Sequence, residues 1–318
     1  MRLGQNPQKF VYEVAQPERI TVAVLSYIPF QSGFYRDALD VLKVSLQSLQ
    51  DKPGLPYDLF VFDNGSCDEA QDYLLSEHRN GNIPYLLLSK KNLGKGGAWN
   101  IILGGAPGEI IAYADSDVLF SPGWLSASVQ ILETFPQVGM ITARPFATES
   151  DDYSATIKWA QSDPKVTMEQ GKFIPWTTFH EFLYSLGREE TEIRMQYEIN
   201  QDIRLTYKGV RAMVGASHWQ FVGYKDVLKR FLPFRMDRPM GQVKQLDQRM
   251  NSAGYLRLMT EEPFAMNLSN TLREVPPPET ISGKKKANGK YTILDVPIIR
   301  RVMLGIYDRI FRLYFDRQ

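Results

Sequence analysis

Between Ile20 and Tyr27 the chain reads ITVAVLSY, an almost unbroken run of apolar and β-branched residues. That is the pattern of a central parallel strand buried on both faces. Pro29 and Gly33 end it, and Ala38, Leu39, Leu42, Leu46 and Leu49 then recur at helical spacing. The alternation continues. Tyr57 to Phe62, YDLFVF, predicts a second strand, Glu69 to His78 a helix, Tyr85 to Leu88 a third strand, Ala98 to Leu103 a helix, and Ile110 to Ala114 a fourth strand. Strand, loop, helix and strand again predict an α/β fold: a Rossmann-related, mostly parallel sheet flanked by helices. A further helix is expected to begin near Pro122.

Beyond Thr142 the pattern loosens. Ser150 to Gln170 is polar around Asp163-Pro164 and reads as an irregular excursion, whereas Lys172 to Gly187 places Phe173, Trp176, Phe179, Phe182 and Leu186 largely at helical spacing. These aromatics suit core, with Trp176 open to a second reading as a platform for a sugar ring. Val210 to Val222 reads as strand, small-residue turn and strand, and Tyr224 and Asp226 lead into a helix ending near Leu232-Pro233. Arg273 to Lys290, a proline run followed by a basic patch, predicts a linker. In Val296 to Gln318 one helical face carries Ile299, Val302, Ile306, Ile310 and Leu313, another Leu304, Phe311 and Phe315, with arginines between. Such a C-terminal amphipathic helix needs a partner: the protein's own body, a second subunit, or an anionic membrane surface.

In parallel α/β sheets ligands gather at the carboxyl ends of the strands, and the polar residues of interest fall there. Ser26 and Tyr27 follow strand one, DNGSCD from Asp63 to Asp68 follows strand two, Lys91 to Gly97 follows strand three, and Asp115 and Asp117 end strand four. Two acids one residue apart can reach one hard cation, because Mg²⁺ and Mn²⁺ prefer oxygen ligands and leave positions for substrate phosphates. The competing reading is a polar Asp-Ser-Asp turn that caps the next helix. Likewise Asp63-Asn64-Gly65-Ser66 is either a strand-tip carboxylate for a base or ribose, or an Asn-Gly turn with a helix cap. KKNLGKGGAWN either lets backbone N–H groups approach an anion or serves chain geometry alone. It lacks the Gly-Lys-Ser/Thr ending of a Walker loop, and strand one lacks a G-x-G-x-x-G turn.

Composition narrows the classes. The 318 residues carry 37 Lys and Arg against 36 Asp and Glu, so no global charge favours nucleic acid. Cys67 is the sole cysteine, which excludes an intramolecular disulfide framework and cysteine-rich zinc sites. No apolar run approaches the roughly 18 residues of a spanning helix, and the N-terminus lacks a signal core. The expectation is a cytoplasmic protein, peripheral on the inner face of a membrane if the last helix contacts lipid.

In order and spacing, ITVAVLSY, FVFDNGSCD, the N-x-G-x-G-G-A-x-N arrangement from Asn92 to Asn100, and YADSDVLFSPGWL together resemble the nucleotide-sugar half of family 2 glycosyltransferases with the GT-A fold. The resemblance covers about the first 150 residues. It implies transfer of a sugar from a nucleoside diphosphate sugar, UDP-sugars favoured, to a glycan, lipid-linked or protein acceptor, with inversion by direct displacement. It also implies a divalent cation, Mn²⁺ or Mg²⁺, on Asp115 and Asp117, with Asp63 contacting the base. Ser26, Tyr27, Asn64, Ser66, Asn92, Gly94, Lys95, Gly96, Asn100 and Ser116 would line nucleotide and sugar. The implied organisation is an N-terminal extension (1–19), a nucleotide-sugar half (20–147), an acceptor half (148–272), a basic linker (273–290) and the terminal helix (291–318).

Inverting members use a carboxylate as general base, within an E-D that precedes a helix carrying an Arg and ending in Gly-Tyr. QLDQRMNSAGY supplies Arg249 and Gly254-Tyr255 with a single acid, Asp247. It has no adjacent Glu and lies closer to the Arg than the family's acid. Asp247 is therefore the candidate base, against a reading in which it caps or salt-bridges its own helix, and Asp237 is the reserve. His218, after Gly-Ala-Ser, is a candidate late metal ligand or a structural histidine, and Trp219 either packs under a sugar or fills core. Two rivals follow: a non-catalytic sugar-nucleotide or glycan-binding relative, and a sugar nucleotidyltransferase, whose activating loop SYIPFQSG lacks.

Overall fold

The computed structural model describes residues 4–51, 53–148, 150–237, 243–269 and 271–272. The linker and terminal helix expected over 273–318 lie outside them. Among the described residues twelve strands and nine α-helices follow in order: β1 Ile20–Ser26, α1 Ala38–Gln50, β2 Asp58–Asp63, α2 Asp68–Arg79, β3 Tyr85–Leu88, α3 Gly94–Gly105, β4 Ile110–Asp115, β5 Val118–Phe120, α4 Trp124–Thr134, β6 Val138–Thr142, α5 Ser154–Ser162, β7 Val166–Gly171, α6 Trp176–Ser185, α7 Glu190–Ile199, β8 Asp202–Tyr207, β9 Val210–Val214, β10 Gln220–Tyr224, α8 Lys225–Lys229, α9 Val243–Ser252, β11 Leu256–Met259 and β12 Ala265–Asn267.

Ten strands form one sheet in the order β3-β2-β1-β4-β10-β6-β11-β9-β8-β7. The first four are parallel, as expected, and β1 is buried along its whole length between β2 and β4. From β10 onward the sheet is mixed: β10 runs antiparallel to β4 and β6, β11 is parallel to β6, and β9, β8 and β7 are antiparallel. The α/β sheet flanked by helices is thus observed, with its uninterrupted parallel order confined to β3, β2, β1 and β4. Two apolar cores cover its faces, one holding Val22, Leu42, Leu74, Leu125 and Ile141, the other Ala23, Phe62, Trp99, Tyr113 and Phe221. Residues 20 to 25 alternate between these cores, which explains why the strand is apolar throughout.

Two expectations for the second half change. The polar stretch 150–170 is not irregular: α5 and β7 occupy most of it, with Val166–Gly171 laid as an edge strand on β8. None of its residues is fully buried, and an edge strand's weak burial gives little hydrophobic signal. The strand–turn–strand reading of 210–222 holds locally, yet β9 and β10 do not pair, because β11 and β6 lie between them in the sheet. The short loop 215–219 therefore spans two strands, with the Gly215 N–H on the Arg257 carbonyl of β11 and the Ser217 N–H on Thr142 at the carboxyl end of β6. A small two-stranded sheet, β5 with β12, lies beside the end of β4. Among the described residues no helix is long and apolar enough to cross a membrane.

Candidate active site

The polar strand ends meet where β1, β2 and β4 finish. Ser26 pairs in register with Asp63, and Leu25 with Asp115. Asp63 is fully buried. Its Oδ2 accepts hydrogen bonds from the Ser66 backbone N–H at 3.0 Å and from Gln71 Nε2 at 2.9 Å, while Oδ1 is buried with no partner. The Ser26 hydroxyl beside it is likewise buried and unpartnered. Two orphaned polar atoms at one register position carry a desolvation cost that a hydrogen-bonding ligand would relieve.

The third loop is tied to the second. Asn64 Oδ1 accepts from the Leu93 N–H at 2.9 Å, Asn64 Nδ2 donates to Asn92 Oδ1 at 3.0 Å, and that oxygen accepts the Gly94 N–H at 2.8 Å. Asn64 and Asn92 are therefore spent on capping α3, a role for which a turn-forming amide is well suited. Gly65 permits the contact: its φ is +91°, and a Cβ there would stand 3.0 Å from the Lys91 carbonyl carbon. Helix α3 begins at Gly94, so Gly94 and Gly96 lie in its first turn instead of a preceding loop. Helix geometry leaves N–H groups of that turn without an intrahelical carbonyl. Ser66 fixes the first loop by accepting the Ile28 N–H at 2.9 Å. Tyr27 is half-buried with its ring edge-on to Tyr35.

Asn100 is placed differently from the expectation of a donor-lining amide. It donates from Nδ2 to the Phe234 carbonyl at 2.9 Å and accepts the Phe234 N–H at Oδ1, 2.6 Å, so both ends are consumed in holding the segment after α8.

At the end of β4 the two acids differ. Asp115 Oδ1 accepts the Tyr113 hydroxyl at 2.5 Å and Oδ2 pairs with Lys95 Nζ at 2.7 Å. Burial and the Asp115 charge hold the Tyr113 phenol well above its usual range. Lys95 also lies over the rings of Trp99 and Tyr113. Asp117 is pushed up to about 7, first by burial and then by the charge of Asp115, with Lys95 opposing. Its carbonyl accepts the Leu268 N–H at 2.8 Å, so the chain after β12 closes over it, and Ser116 between the acids is half-buried. One lysine thus faces two carboxylates, and a divalent cation would supply the missing positive charge with hard oxygen donors suited to Mg²⁺ or Mn²⁺. Among the described residues no group of three or more His, Cys, Asp or Glu could hold a metal, so His218 does not complete such a set. A pair alone leaves coordination positions for phosphate oxygens.

Asp247 does not suit a proton acceptor. It is only 4% exposed, its Oδ1 accepts from Arg257 Nη2 at 2.6 Å and its Oδ2 bonds His218 Nδ1 at 2.6 Å. The sequence expectation is corrected on that ground: the acid is sealed between a buried guanidinium and an imidazole, out of reach of an acceptor hydroxyl. Asp237 is exposed and directly precedes residues 238–242, which lie outside the description. Trp219 packs against Phe182, and Trp176 against His180 and Tyr197, while both stay half-buried. The depression lined by Phe146, Tyr153, Asp202 and Met259 contains none of these residues. Its single carboxylate, Asp202, is spent on the Phe173 and Ile174 N–H groups, which leaves the chemistry to the strand ends.

Residues 34–190, which contain Asp63, Lys95, Asp115 and Asp117, match the sequence model of Glycosyl transferase family 2. The chain carries a glycosyl transferase family 2 domain. An uncharacterized glycosyltransferase of Nostoc sp. is 27% identical over 84 residues, 26% of this chain and 26% of that protein. Among solved structures, S. aureus TarS 1-349 shares 13% identity at a TM-score of 0.44, over 78% of this chain and 60% of that one. A mannosyltransferase, PcManGT from Pyrobaculum calidifontis, solved with GDP-Man and Mn²⁺, shares 16% identity at 0.42, over 78% and 58%. The chain thus spans about a quarter of the curated relative and three fifths of the TarS fragment. The family 2 domain ends before β8, so His218, Asp247 and Arg257 lie outside the matched residues.

Proposed function

We propose that the protein transfers a sugar from a nucleoside diphosphate sugar, with UDP-sugars favoured, to an acceptor hydroxyl by direct displacement with inversion. The observation that carries this is the convergence, within a family 2 domain, of an unpartnered buried Asp63 oxygen, the first turn of α3, and the under-neutralised Asp115 and Asp117 pair. Asp63 Oδ1 would accept an N–H of the base, the only kind of hydrogen bond an ionised carboxylate can make. Lys95 and the start of α3 would face the diphosphate, where a cation and helix N–H groups favour anions. Asp115 and Asp117 would hold Mn²⁺ or Mg²⁺, which when bound stabilises the negative charge gathering on the departing diphosphate.

A binding-only relative would retain these same groups, and the sealing of Asp247 is the observation in its favour. The two readings part on turnover. Incubation with Mn²⁺ and a panel of UDP-glucose, UDP-N-acetylglucosamine and GDP-mannose should release nucleoside diphosphate from at least one donor. Binding of donors without release across a broad set of acceptors would favour the binding-only reading.

The raised position of Asp117 makes a separate prediction. In the fold it keeps its proton up to about pH 7, against an ordinary 3.8, so between these values the folded state binds more protons than the unfolded chain. Stability then falls as pH rises through that window. In the presence of chelator, unfolding midpoints attributable to this group should decline from about pH 4 to pH 7, and Mn²⁺ should flatten the decline by favouring the ionised carboxylate. A slope that Asp117→Asn leaves unchanged would assign the effect to other groups.

A further inference from the structure

The loop joining β9 to β10 is fixed at nearly every residue. The Gly215 N–H donates to the Arg257 carbonyl at 3.0 Å, the Ala216 carbonyl accepts from Arg257 Nη2 at 2.5 Å, the Ser217 N–H donates to Thr142 Oγ1 at 2.9 Å, and the Trp219 carbonyl accepts the Asp115 N–H at 2.9 Å. His218 is the member whose side chain, not its backbone, is held. It lies two residues before β10, whose first residue Gln220 pairs with Ala114, and its neighbour Trp219 accepts the Asp115 N–H, which brings it to the edge of the sheet where Asp115 ends β4. Its side chain is 29% exposed, in contrast to 6% for Asp247.

The hydrogen bonds fix the chemistry of the ring. Asp247 accepts from Arg257 on one oxygen, so it is held as a carboxylate and can only accept on the other. His218 Nδ1 must then be the donor in the 2.6 Å bond. That places the proton on Nδ1 and the lone pair on Nε2, which has no hydrogen-bond partner among the described residues. Arg257 is almost wholly buried and already offsets the charge of Asp247, so Asp247 acts chiefly by fixing tautomer and orientation, and secondarily by stabilising a cationic ring.

We propose that His218 Nε2 is the general base of the transfer, with Asp247 and Arg257 as positioning residues. The inference rests on the donor-site reading above. The acceptor O–H proton passes to Nε2, the acceptor oxygen forms a bond to the anomeric carbon, and the bond from that carbon to the diphosphate oxygen breaks with its electron pair leaving on the nucleoside diphosphate. No oxidant or reductant is needed, and the proton returns to solvent when product departs. A histidine mounted on a loop whose neighbours are all tied down needs little rearrangement to meet a bound hydroxyl, the condition for efficient proton transfer.

The test uses the full chain, UDP with Mn²⁺ as the binding probe, and the panel donor that turns over fastest for kinetics. H218Q should bind UDP with Mn²⁺ within about twofold of the parent, keep its KM for donor, and lose about 10²–10⁴-fold in kcat. H218A should recover part of its turnover on addition of imidazole, a response that a merely structural histidine would not give. Unchanged kcat in both variants, or an H218A loss that imidazole does not relieve, would overturn the assignment. A loss of Mn²⁺-dependent UDP affinity in H218Q would overturn it in favour of a metal-ligand role. A parent that binds UDP without Mn²⁺ dependence, or not at all, would instead refute the donor-site reading on which it rests.

Discussion

Asp117→Asn should depress turnover about 10²–10³-fold, the scale of losing one preorganised electrostatic stabiliser, while leaving the apoprotein as stable as the parent at neutral pH or more so. The two directions come from the same cause. Asp117 is crowded by Asp115 and tied through its carbonyl to the chain after β12, with Lys95 as the near positive charge. Ionising it without a cation is costly, and an amide removes that cost along with one of two anionic oxygen ligands. Asp115→Asn should lose activity to a similar extent without gaining stability, because it also forfeits the 2.7 Å ion pair with Lys95 and weakens the bond from Tyr113. Steady-state kinetics with thermal melts in chelator would read both effects. Loss of activity accompanied by equal destabilisation in the two variants would point to a purely structural role for the pair.

The second large effect concerns stability. Arg257→Met should cost about 3–5 kcal/mol, the usual penalty for breaking a buried ion pair from one side. The guanidinium is 1% exposed and serves Asp247, the Ala216 carbonyl and the Asp152 carbonyl together. Removing it strands a buried carboxylate and two backbone acceptors. The double variant Asp247→Leu/Arg257→Met should recover a large part of the loss, since a well-packed apolar pair can match a buried ionic one. Urea unfolding of the two single variants and the double one measures the coupling; additive losses would show that the pair is not a unit.

The parallel half of the fold was open to a reading of the sequence because each element there announces itself locally. Ile20–Ser26 is buried along its whole length and almost wholly apolar, and the third strand, Tyr85–Leu88, falls where its four residues place it. The second half was less open because its order is set by pairings distant along the chain. β9 and β10 are separated by five residues yet by two intervening strands, and no local pattern encodes that. In the same way the sequence could mark Asp63, Asp115 and Asp117 as acids at strand tips, since tip position follows from where an apolar run stops. It could not show that Asn100 is consumed by Phe234 or that Asp247 is sealed by Arg257. A signal for the latter does exist: LRLM, Leu256 to Met259, sets one arginine inside an otherwise apolar strand. A charge so placed calls for a buried acid, and Asp247, ten residues earlier, is that acid. His218 was singled out for its rarity, but its pairing with Asp247 spans 29 residues and needed the fold.

The central claim is a metal-dependent donor site at the carboxyl ends of β1, β2 and β4. Calorimetric titration of UDP into the full chain, once with Mn²⁺ and once with chelator, tests it most directly. Saturable binding that requires Mn²⁺ and is lost in Asp117→Asn is the predicted result. Binding of equal strength with and without the cation, or none under either condition, would contradict it.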